Sequence, residues 1–268
     1  LLARDLEAVL GKSVIVENRA GGGGWVGWGG LAAGKPDGYL LGYLNVPSMY
    51  AGYLDKALGR KETLDSFTPL MNHVLDYNVW AVKADSPYKS VKDVVEAAKK
   101  QPSVVTVTAY GAGSDDHLAI LSMEVENKIK LSVVHNRSTA EAKTQALGGH
   151  IHVLGANISE VAEEVRSGAL RILGVMSPAR SKFLPNAPTF KEQGFNQNWS
   201  VSRGIAAPAK LDKDAEKKLV DALEKVLSSP AHRAKAEGLS LQPEVIKGAA
   251  YVKFLKDNEI STKKLMGW

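Results

Sequence analysis

Tyr110-Gly111-Ala112-Gly113-Ser114-Asp115-Asp116-His117 is the stretch that decides how this sequence folds. It follows the β-branched run 104–108, and apolar residues recur at helical spacing in 118–124. The pattern therefore predicts a strand, a glycine turn and a helix, in that order. Such a turn directs free backbone N–H groups and the positive end of a helix dipole to one place, which favours an anion such as a carboxylate. The alternative is an ordinary strand-to-helix turn with Ser114 or Asp115 as the helix cap.

The composition is that of a globular protein with a substantial core. Of 268 residues, 44% are hydrophobic and 24% are charged, and the formal net charge is +5. The basic residues are scattered, which argues against a nucleic-acid partner and fits weakly with attraction of small anions. Because cysteine is absent, the chain has no disulfide, thiolate metal site or cysteine nucleophile.

The beginning of the sequence resembles a helix already under way. Residues 1–10 have helical apolar spacing and end at Gly11, but no capping residue precedes them. No apolar run approaches the roughly 20 residues of a membrane span, and no signal peptide is present. We therefore expect that the sequence begins inside an element and lacks what precedes it in the full protein.

The order of predicted elements indicates an α/β protein of two lobes. Strands and helices alternate from a short strand at 13–16 onward, and a similar βαβ rhythm restarts at residue 104. Helices without strands of their own follow at the C-terminal end, and we expect them to return to the first lobe. The predicted division is 1–101 with 203–268 for lobe 1 and 102–202 for lobe 2. Each lobe should contain a mainly parallel sheet flanked by helices.

Catalytic, metal and cofactor motifs are weak throughout. His150 and His152 share a strand face, but they lack a third ligand at a helpful spacing. No Gly-x-Ser-x-Gly elbow is present, and Asp115 and Asp116 are expected to point apart on their helix. The glycines at 21–24 are followed by a tryptophan where a pyrophosphate would need bare backbone, so they favour helix packing. We predict no catalytic residue, no metal and no cofactor.

The remaining candidates are loops that follow strands, where open α/β sheets bind ligands. They supply amides, hydroxyls, helix N-termini and one guanidinium, a set suited to binding an anion without reacting with it. A surface arginine and ordinary turn asparagines are the alternative interpretations. The predicted substrate-binding residues are Asn45, Ser48, Tyr110, Ala112, Gly113, Ser114, Asn136, Arg137, Ser138 and Asn157.

Two segments resemble the signature of a known family. Residues 14–24 (Val-Ile-Val-Glu-Asn-Arg-Ala-Gly-Gly-Gly-Gly) and 35–41 (Lys-Pro-Asp-Gly-Tyr-Leu-Leu) are similar to the V-E-N-R-P-G-A-G-G … P-D-G-Y-T-L pattern of the receptors of tripartite tricarboxylate transporters, the Bug family. Further motifs keep that family's order, and the resemblance covers nearly the whole chain. These motifs lie at 111–114, 148–151, 167–173, 184–189, 192–194 and 206–208.

The resemblance implies a type II periplasmic-binding-protein fold, with a ligand cleft between two lobes that close by a hinge. It also implies a periplasmic protein without enzymatic activity that captures a small organic acid and delivers it to integral membrane permease subunits. In such a protein a signal peptide and a first strand would precede this sequence, and we expect it to be a monomer. Residues 112–114 would then hold one carboxylate, and Asn136, Arg137, Ser138 and Asn157 would select the far end of the ligand. Many members read V-P-Y-K-G-G where this chain has 134–139, so Arg137 would suit a second acidic group. The alternatives are a ligand-sensing regulatory domain and a two-lobe α/β transferase.

Overall fold

The computed structural model describes residues 1–19 and 24–268. The glycine-rich segment discussed above therefore lies mostly outside the described residues. The helices are α1 (Leu2–Leu10), α2 (Trp25–Ala32), α3 (Ser48–Leu54), α4 (Val91–Lys100), α5 (Asp115–Asn127), α6 (Thr139–Leu147), α7 (Ile158–Arg166), α8 (Lys213–Leu227), α9 (Pro230–Gly238) and α10 (Gly248–Met266). The strands are β1 (Gly42–Val46), β2 (Phe67–Lys83), β3 (Thr106–Ala109), β4 (Ser132–His135), β5 (Leu154–Asn157), β6 (Leu170–Val175), β7 (Ser200–Pro208) and β8 (Gln242–Lys247).

The chain divides into two compact units, of which one is discontinuous. The first unit comprises Leu1–Leu75 and Ser202–Trp268, and the second comprises Asp76–Val201. Residues 76–101 thus group with the second unit, whereas the sequence placed them in the first lobe. The reason is that β2 is one unbroken strand of 17 residues, so no turn marks the passage between the units. The helix α4 that follows packs its valines into the core of the second unit.

In the first unit, antiparallel strand pairs are covered by helices. β1 pairs with β7, and the first part of β2 pairs with β8, both antiparallel. α1 and α8 pack leucines around Leu70 and Met71 of β2. A second apolar cluster joins α2, α3 and α10, where Trp25 and Trp28 meet edge to face at 5.4 Å. Aromatic pairs of this kind add to the stabilisation that area burial provides.

In the second unit, the sheet is buried on both faces. Val79 and Ala81 of β2 pack in one apolar cluster, while Trp80 and Val82 pack in the other. Successive side chains of a strand point to opposite faces, so a strand covered on both sides reads as a continuous apolar run. β3 and β4 are parallel, and Val107 forms a parallel bridge to Val153, just before β5. The strands β3, β4 and β5 therefore run in the same direction, and the loops that follow them lie at the same edge.

The α/β class is confirmed, but three expectations about strands are wrong. β2 pairs antiparallel with β5 and β6, so parallel pairing does not dominate as expected. Residues 13–16 are not a strand, and Ile15 is 85% exposed. A strand, β8, lies between the C-terminal helices α9 and α10, where no strand was expected. Pairing direction and partner depend on contacts distant in sequence, which local periodicity does not contain.

We predict that Trp80 is a principal contributor to the stability of the second unit. Its side chain is 1% exposed and packs edge to face on Phe190 at 5.3 Å. Trp80→Ala should lower the free energy of unfolding by about 3–5 kcal/mol, because it leaves a cavity in a buried core. Tyr39→Ala, which truncates a side chain that is 93% exposed, is the matched control and should change stability little. Urea denaturation measures both, and equal effects would contradict this assignment.

Candidate functional site

The glycine turn after β3 folds as the sequence predicts, and Ser114 caps the helix. Ser114 precedes α5 and its hydroxyl accepts a hydrogen bond from the His117 N–H at 3.2 Å. Gly111 and Gly113 have φ of 71° and 76°, a conformation that costs a residue with a side chain about 1 kcal/mol or more. The ordinary capping interpretation is therefore correct for Ser114. Any role of the turn in binding therefore depends on backbone N–H groups that have no hydrogen-bond partner within the protein.

Several N–H groups of this turn are already bound within the protein. Gly113 donates to Nδ1 of His117 at 3.0 Å, and the Tyr110 amide donates to the carboxyl group of Asp116. Gly111 donates to the Ala109 carbonyl at 3.0 Å. Among the residues that the structure describes, the amide of exposed Ala112 has no such partner. The turn therefore offers an anion fewer free donors than its sequence suggests.

The neutral imidazole of His117 stabilises this turn by accepting a hydrogen bond. Burial, followed by the neighbouring His135, lowers the pKa of His117 to about 4. The two rings meet edge to face at 4.7 Å. Because Nδ1 accepts the Gly113 N–H, the proton of the neutral ring belongs on Nε2. The turn and the first turn of α5 are thereby held together near neutral pH.

A second loop leaves the same edge of the sheet after β4. Asn136 is buried, and its amide donates to the Ala109 carbonyl at 2.9 Å, so this loop lies beside the end of β3. Ser138 caps α6 by accepting the Glu141 N–H at 3.1 Å. Arg137 is exposed, and no ion pair or hydrogen bond engages its guanidinium within the described parts of the chain. An unpaired guanidinium at a helix N-terminus suits a carboxylate.

Asn157 completes this edge but is a buried structural residue. It is 4% exposed, and its side-chain amide donates to the carboxyl of Asp115 at 2.9 Å and to the Asp76 carbonyl at 3.2 Å. Its backbone amide donates to Glu160 at 2.9 Å, which closes the N-terminus of α7. The side-chain donors of Asn157 therefore bind the protein itself.

A network of buried carboxyl groups lies beneath the turn. The side-chain amide of Asn78 donates to Asp115 at 3.0 Å and to Asp116 at 2.8 Å. The expectation that these two aspartates point apart is therefore wrong, since one amide group contacts both. Burial, followed by Asp115 and Glu160, raises the pKa of Asp116 well above its usual range. Two carboxyl groups that share one small buried site do not readily ionise together.

Asn45 and Ser48 belong to the first unit. Asn45 lies in β1 opposite Arg203 of β7, and its side-chain oxygen is buried without a partner among the described residues. Ser48 is the first residue of α3, which begins after Pro47. Their contact with a ligand stays a prediction.

Within residues 1–19 and 24–268, no group of three or more histidine or acidic side chains is arranged to hold a metal ion. Over the same residues, no helix combines the length and apolar character needed to cross a membrane.

Comparison with known families agrees with the resemblance that the motifs suggested. The model of the tripartite tricarboxylate transporter family receptor, TctC, matches residues 1–267. The chain belongs to this receptor family. The receptor is 26% identical to the "UPF0065 protein in gbd 5'region" of Cupriavidus necator, over 99% of this chain and 80% of that protein.

Solved structures of receptors share the fold of the chain. A TctC solute-binding protein from Polaromonas superimposes with a TM-score of 0.80 at 27% identity, covering 99% of this receptor and 92% of that chain. The periplasmic binding protein BugD gives a TM-score of 0.86 at 25% identity, over 99% and 90% of the two chains. These similarities confirm the solute-binding-protein fold, and they identify the receptor as a relative of the Bug proteins.

The sequence patterns predict the loops at this edge of the receptor but not the hydrogen-bond network that supports them. Asp76 and Asn78 lie inside β2, where polar residues interrupt an otherwise apolar run. Buried polar residues in a strand are a signal of a network that satisfies their hydrogen bonds. That signal was present in the sequence, although it does not specify the partners.

We predict that His117 makes the receptor less stable in mild acid. Its pKa of about 4 in the folded protein lies below the usual value of 6.5, so between these values the unfolded chain binds more protons. Stability should therefore be complete above about pH 6.5 and should fall as the pH is lowered toward about 4. His117→Gln keeps an acceptor for Gly113 and does not titrate, so it should lose less stability on acidification than the wild type.

Urea denaturation at about pH 7 and about pH 5 measures this difference. The control is His150→Gln, since His150 is an exposed histidine of the same unit, and it should respond to pH as the wild type does. An identical loss of stability in the wild type and in His117→Gln would refute the role assigned to His117.

Proposed function

We propose that this receptor binds a small dicarboxylate through the loops that follow β3 and β4 in the second unit, and that it does not alter the ligand. The observation that carries the proposal is the exposed, unengaged guanidinium of Arg137 on the loop next to the glycine turn. A guanidinium binds a carboxylate through two parallel hydrogen bonds. The receptor family supplies the general role, and Arg137 supplies the reason for a second acidic group.

The two loops offer complementary donors. The Ala112 amide stands near the N-terminus of α5, and Arg137 stands at the N-terminus of α6. Helix N-termini favour anions, and the hydrogen bond between Asn136 and Ala109 keeps the two loops adjacent. One carboxylate at each helix would neutralise both positive ends. Asn136, Ser138 and the exposed Tyr110 are proposed to complete the contacts in this unit.

Proteins of the same fold bind such acids. A structure of Rpa4515 from R. palustris holds adipate and a structure of MatC from Rhodopseudomonas palustris holds malate, with TM-scores of 0.84 and 0.83 at 20% and 18% identity. At these identities the likeness concerns the fold, so the choice of acid rests on the residues of this chain. Delivery of the acid to membrane permease subunits, by a periplasmic monomer, belongs to the same proposal.

The absence of catalysis is part of the proposal because the acid–base groups next to the glycine turn accept hydrogen bonds from amides of the protein. The Nδ1 atom of His117 accepts the Gly113 amide, and Asp116 is held by Asn78 and Tyr110. A general base must reach a proton of the substrate within hydrogen-bonding distance. Groups fixed in internal hydrogen bonds support binding geometry instead.

A thermal-shift screen tests the proposed function. Dicarboxylates, monocarboxylates, aromatic acids and acidic amino acids are each added to the receptor, and a ligand at about 100 times its Kd should contribute about 2.7 kcal/mol of stability. Malate and adipate are the first probes. Failure of every organic acid to raise the Tm would contradict the proposal.

We predict that Arg137 distinguishes dicarboxylates from monocarboxylates. Arg137→Ala should weaken a dicarboxylate about 10- to 100-fold, since a hydrogen bond to a charged group contributes about 1.5–3 kcal/mol. The affinity for a monocarboxylate of equal chain length should change far less. Arg137→Lys keeps the charge but loses the planar fork, so it should give an intermediate affinity.

Isothermal titration calorimetry with paired ligands measures these affinities. The control is Lys100→Ala, which removes one exposed positive charge from the far end of α4 in the same unit. It should leave both affinities close to those of the wild type. Equal losses for the two ligand classes in Arg137→Ala would remove the reason to assign Arg137 a second carboxylate.

A further inference from the structure

We propose that the receptor takes up a proton on the Asp115–Asp116 carboxyl pair when it binds an anion at the glycine turn. This inference rests on the proposed function, to which it adds a coupling between ligand and proton. The turn that would hold the anion and the carboxyl pair are parts of one short segment at the start of α5. Three features of the structure lead to the coupling.

The first feature is the closeness of the two carboxyl groups. One Nδ2 atom of Asn78 donates to Oδ2 of Asp115 and to Oδ1 of Asp116. Both aspartates are buried, at 7% and 4% exposure. Like charges held this close in a poorly hydrated site repel strongly, which disfavours the charged form of Asp116.

The second feature is the direct link between the pair and the turn. The Tyr110 amide donates to the carboxyl of Asp116, so the protein's own acid already occupies one donor of the turn. An anion bound at the turn would place a further negative charge next to this carboxyl group. Neutralising Asp116 removes one of the charges that oppose the anion.

The third feature is the set of charged groups around the pair. Glu160 of α7 contributes to the raised pKa of Asp116, as does Asp115 of its own helix. Asn157, which donates to Asp115, also donates to the backbone carbonyl of Asp76, whereas the Asp76 carboxyl group accepts from Ser159. The adjacent His117 has a pKa of about 4, so it stays neutral near pH 7. Of these neighbours, Glu160 is the acid that acts on Asp116 from another helix.

The network also contains an acceptor that an additional hydrogen would satisfy. The side-chain oxygen of Asn78 is buried without a hydrogen-bond partner in the described structure, and Asn78 is 2% exposed. Rotation of this amide would turn its oxygen toward the carboxyl pair. A protonated carboxyl group could then donate to that oxygen, which satisfies an acceptor that is otherwise buried without a partner.

The direction of the pH dependence follows from linkage. An anion that raises the pKa of the pair is bound with proton uptake, so its affinity is greatest at low pH and weakens as the pH rises through the pKa of the free receptor. One fully linked proton changes Kd by about tenfold per pH unit at most. Between about pH 6.5 and pH 9 simple carboxylates stay ionised, so the ligand itself does not supply this effect.

Calorimetry with acetate, malate and adipate tests the inference on the unmodified receptor. Titrations in two buffers of different ionisation enthalpy at one pH count the protons taken up per ligand bound. We expect net uptake of protons on binding and a Kd that rises with pH, by at most about tenfold per pH unit. Binding without proton exchange and with a constant Kd would overturn the inference but leave the proposed function intact. If none of the three binds, the acid that raises the Tm most in the screen replaces them, and failure of every acid of the screen would refute both.

Asp116→Asn assigns the proton to the pair. Asparagine keeps the shape and an acceptor for the Tyr110 amide, but it does not titrate. Its affinity should be independent of pH and should match the affinity of the wild type at low pH. Asp85→Asn is the control, because Asp85 is an exposed acid of the same unit, and it should keep the pH dependence of the wild type. A pH dependence that persists in Asp116→Asn would exclude the pair as its source.

Discussion

The side-chain amide of Asn78 is the contact on which the edge of the second unit that carries the proposed binding loops depends. From inside β2 it donates to Asp115 and Asp116 at the start of α5. Asp115 in turn accepts from Asn157 at the end of β5, and Asp116 accepts from the amide of Tyr110. One buried residue thus connects the sheet, the glycine turn and the helix that follows. Buried carboxyl groups such as those of Asp115 and Asp116 are tolerated only where hydrogen bonds from the protein replace those from water.

This construction changes how the glycine turn should be understood as an anion site. A turn before a helix offers amides and a favourable dipole, but here the protein supplies its own acids and its own imidazole to those amides. An external anion therefore gains less at the turn than the motif alone implies. The proposed selectivity then depends more on groups that the fold leaves unengaged, of which Arg137 is the clearest example in the described chain. Discrimination between ligands is a difference of affinities, and both the attractive and the opposing charges contribute to it.

Local sequence signals predicted much of the second unit. The order of β3 to β6 with their helices, the cap at Ser114 and the three loops at one edge follow from apolar periodicity and from glycine and serine positions. The length of β2 did not follow, because Asn72, His73, Asp76 and Asn78 interrupt its apolar pattern although all four are buried. The partner of Asp115 is 37 residues away in the chain, and local patterning contains no information at that distance.

In the first unit, the buried polar residues of β2 are also satisfied by hydrogen bonds to neighbouring elements. Nε2 of His73 lies 2.8 Å from Nε2 of His232, so a single proton must lie between the two rings. Tyr43 contacts the other nitrogen of His73 at 2.9 Å, and Asp5 contacts that of His232 at 2.7 Å. Burial, followed by His232, lowers the pKa of His73 to about 4, so His73 is neutral near pH 7. A central strand can hold such residues only if each has a partner on a neighbouring element, so these polar positions of β2 constrain which elements may pack against it.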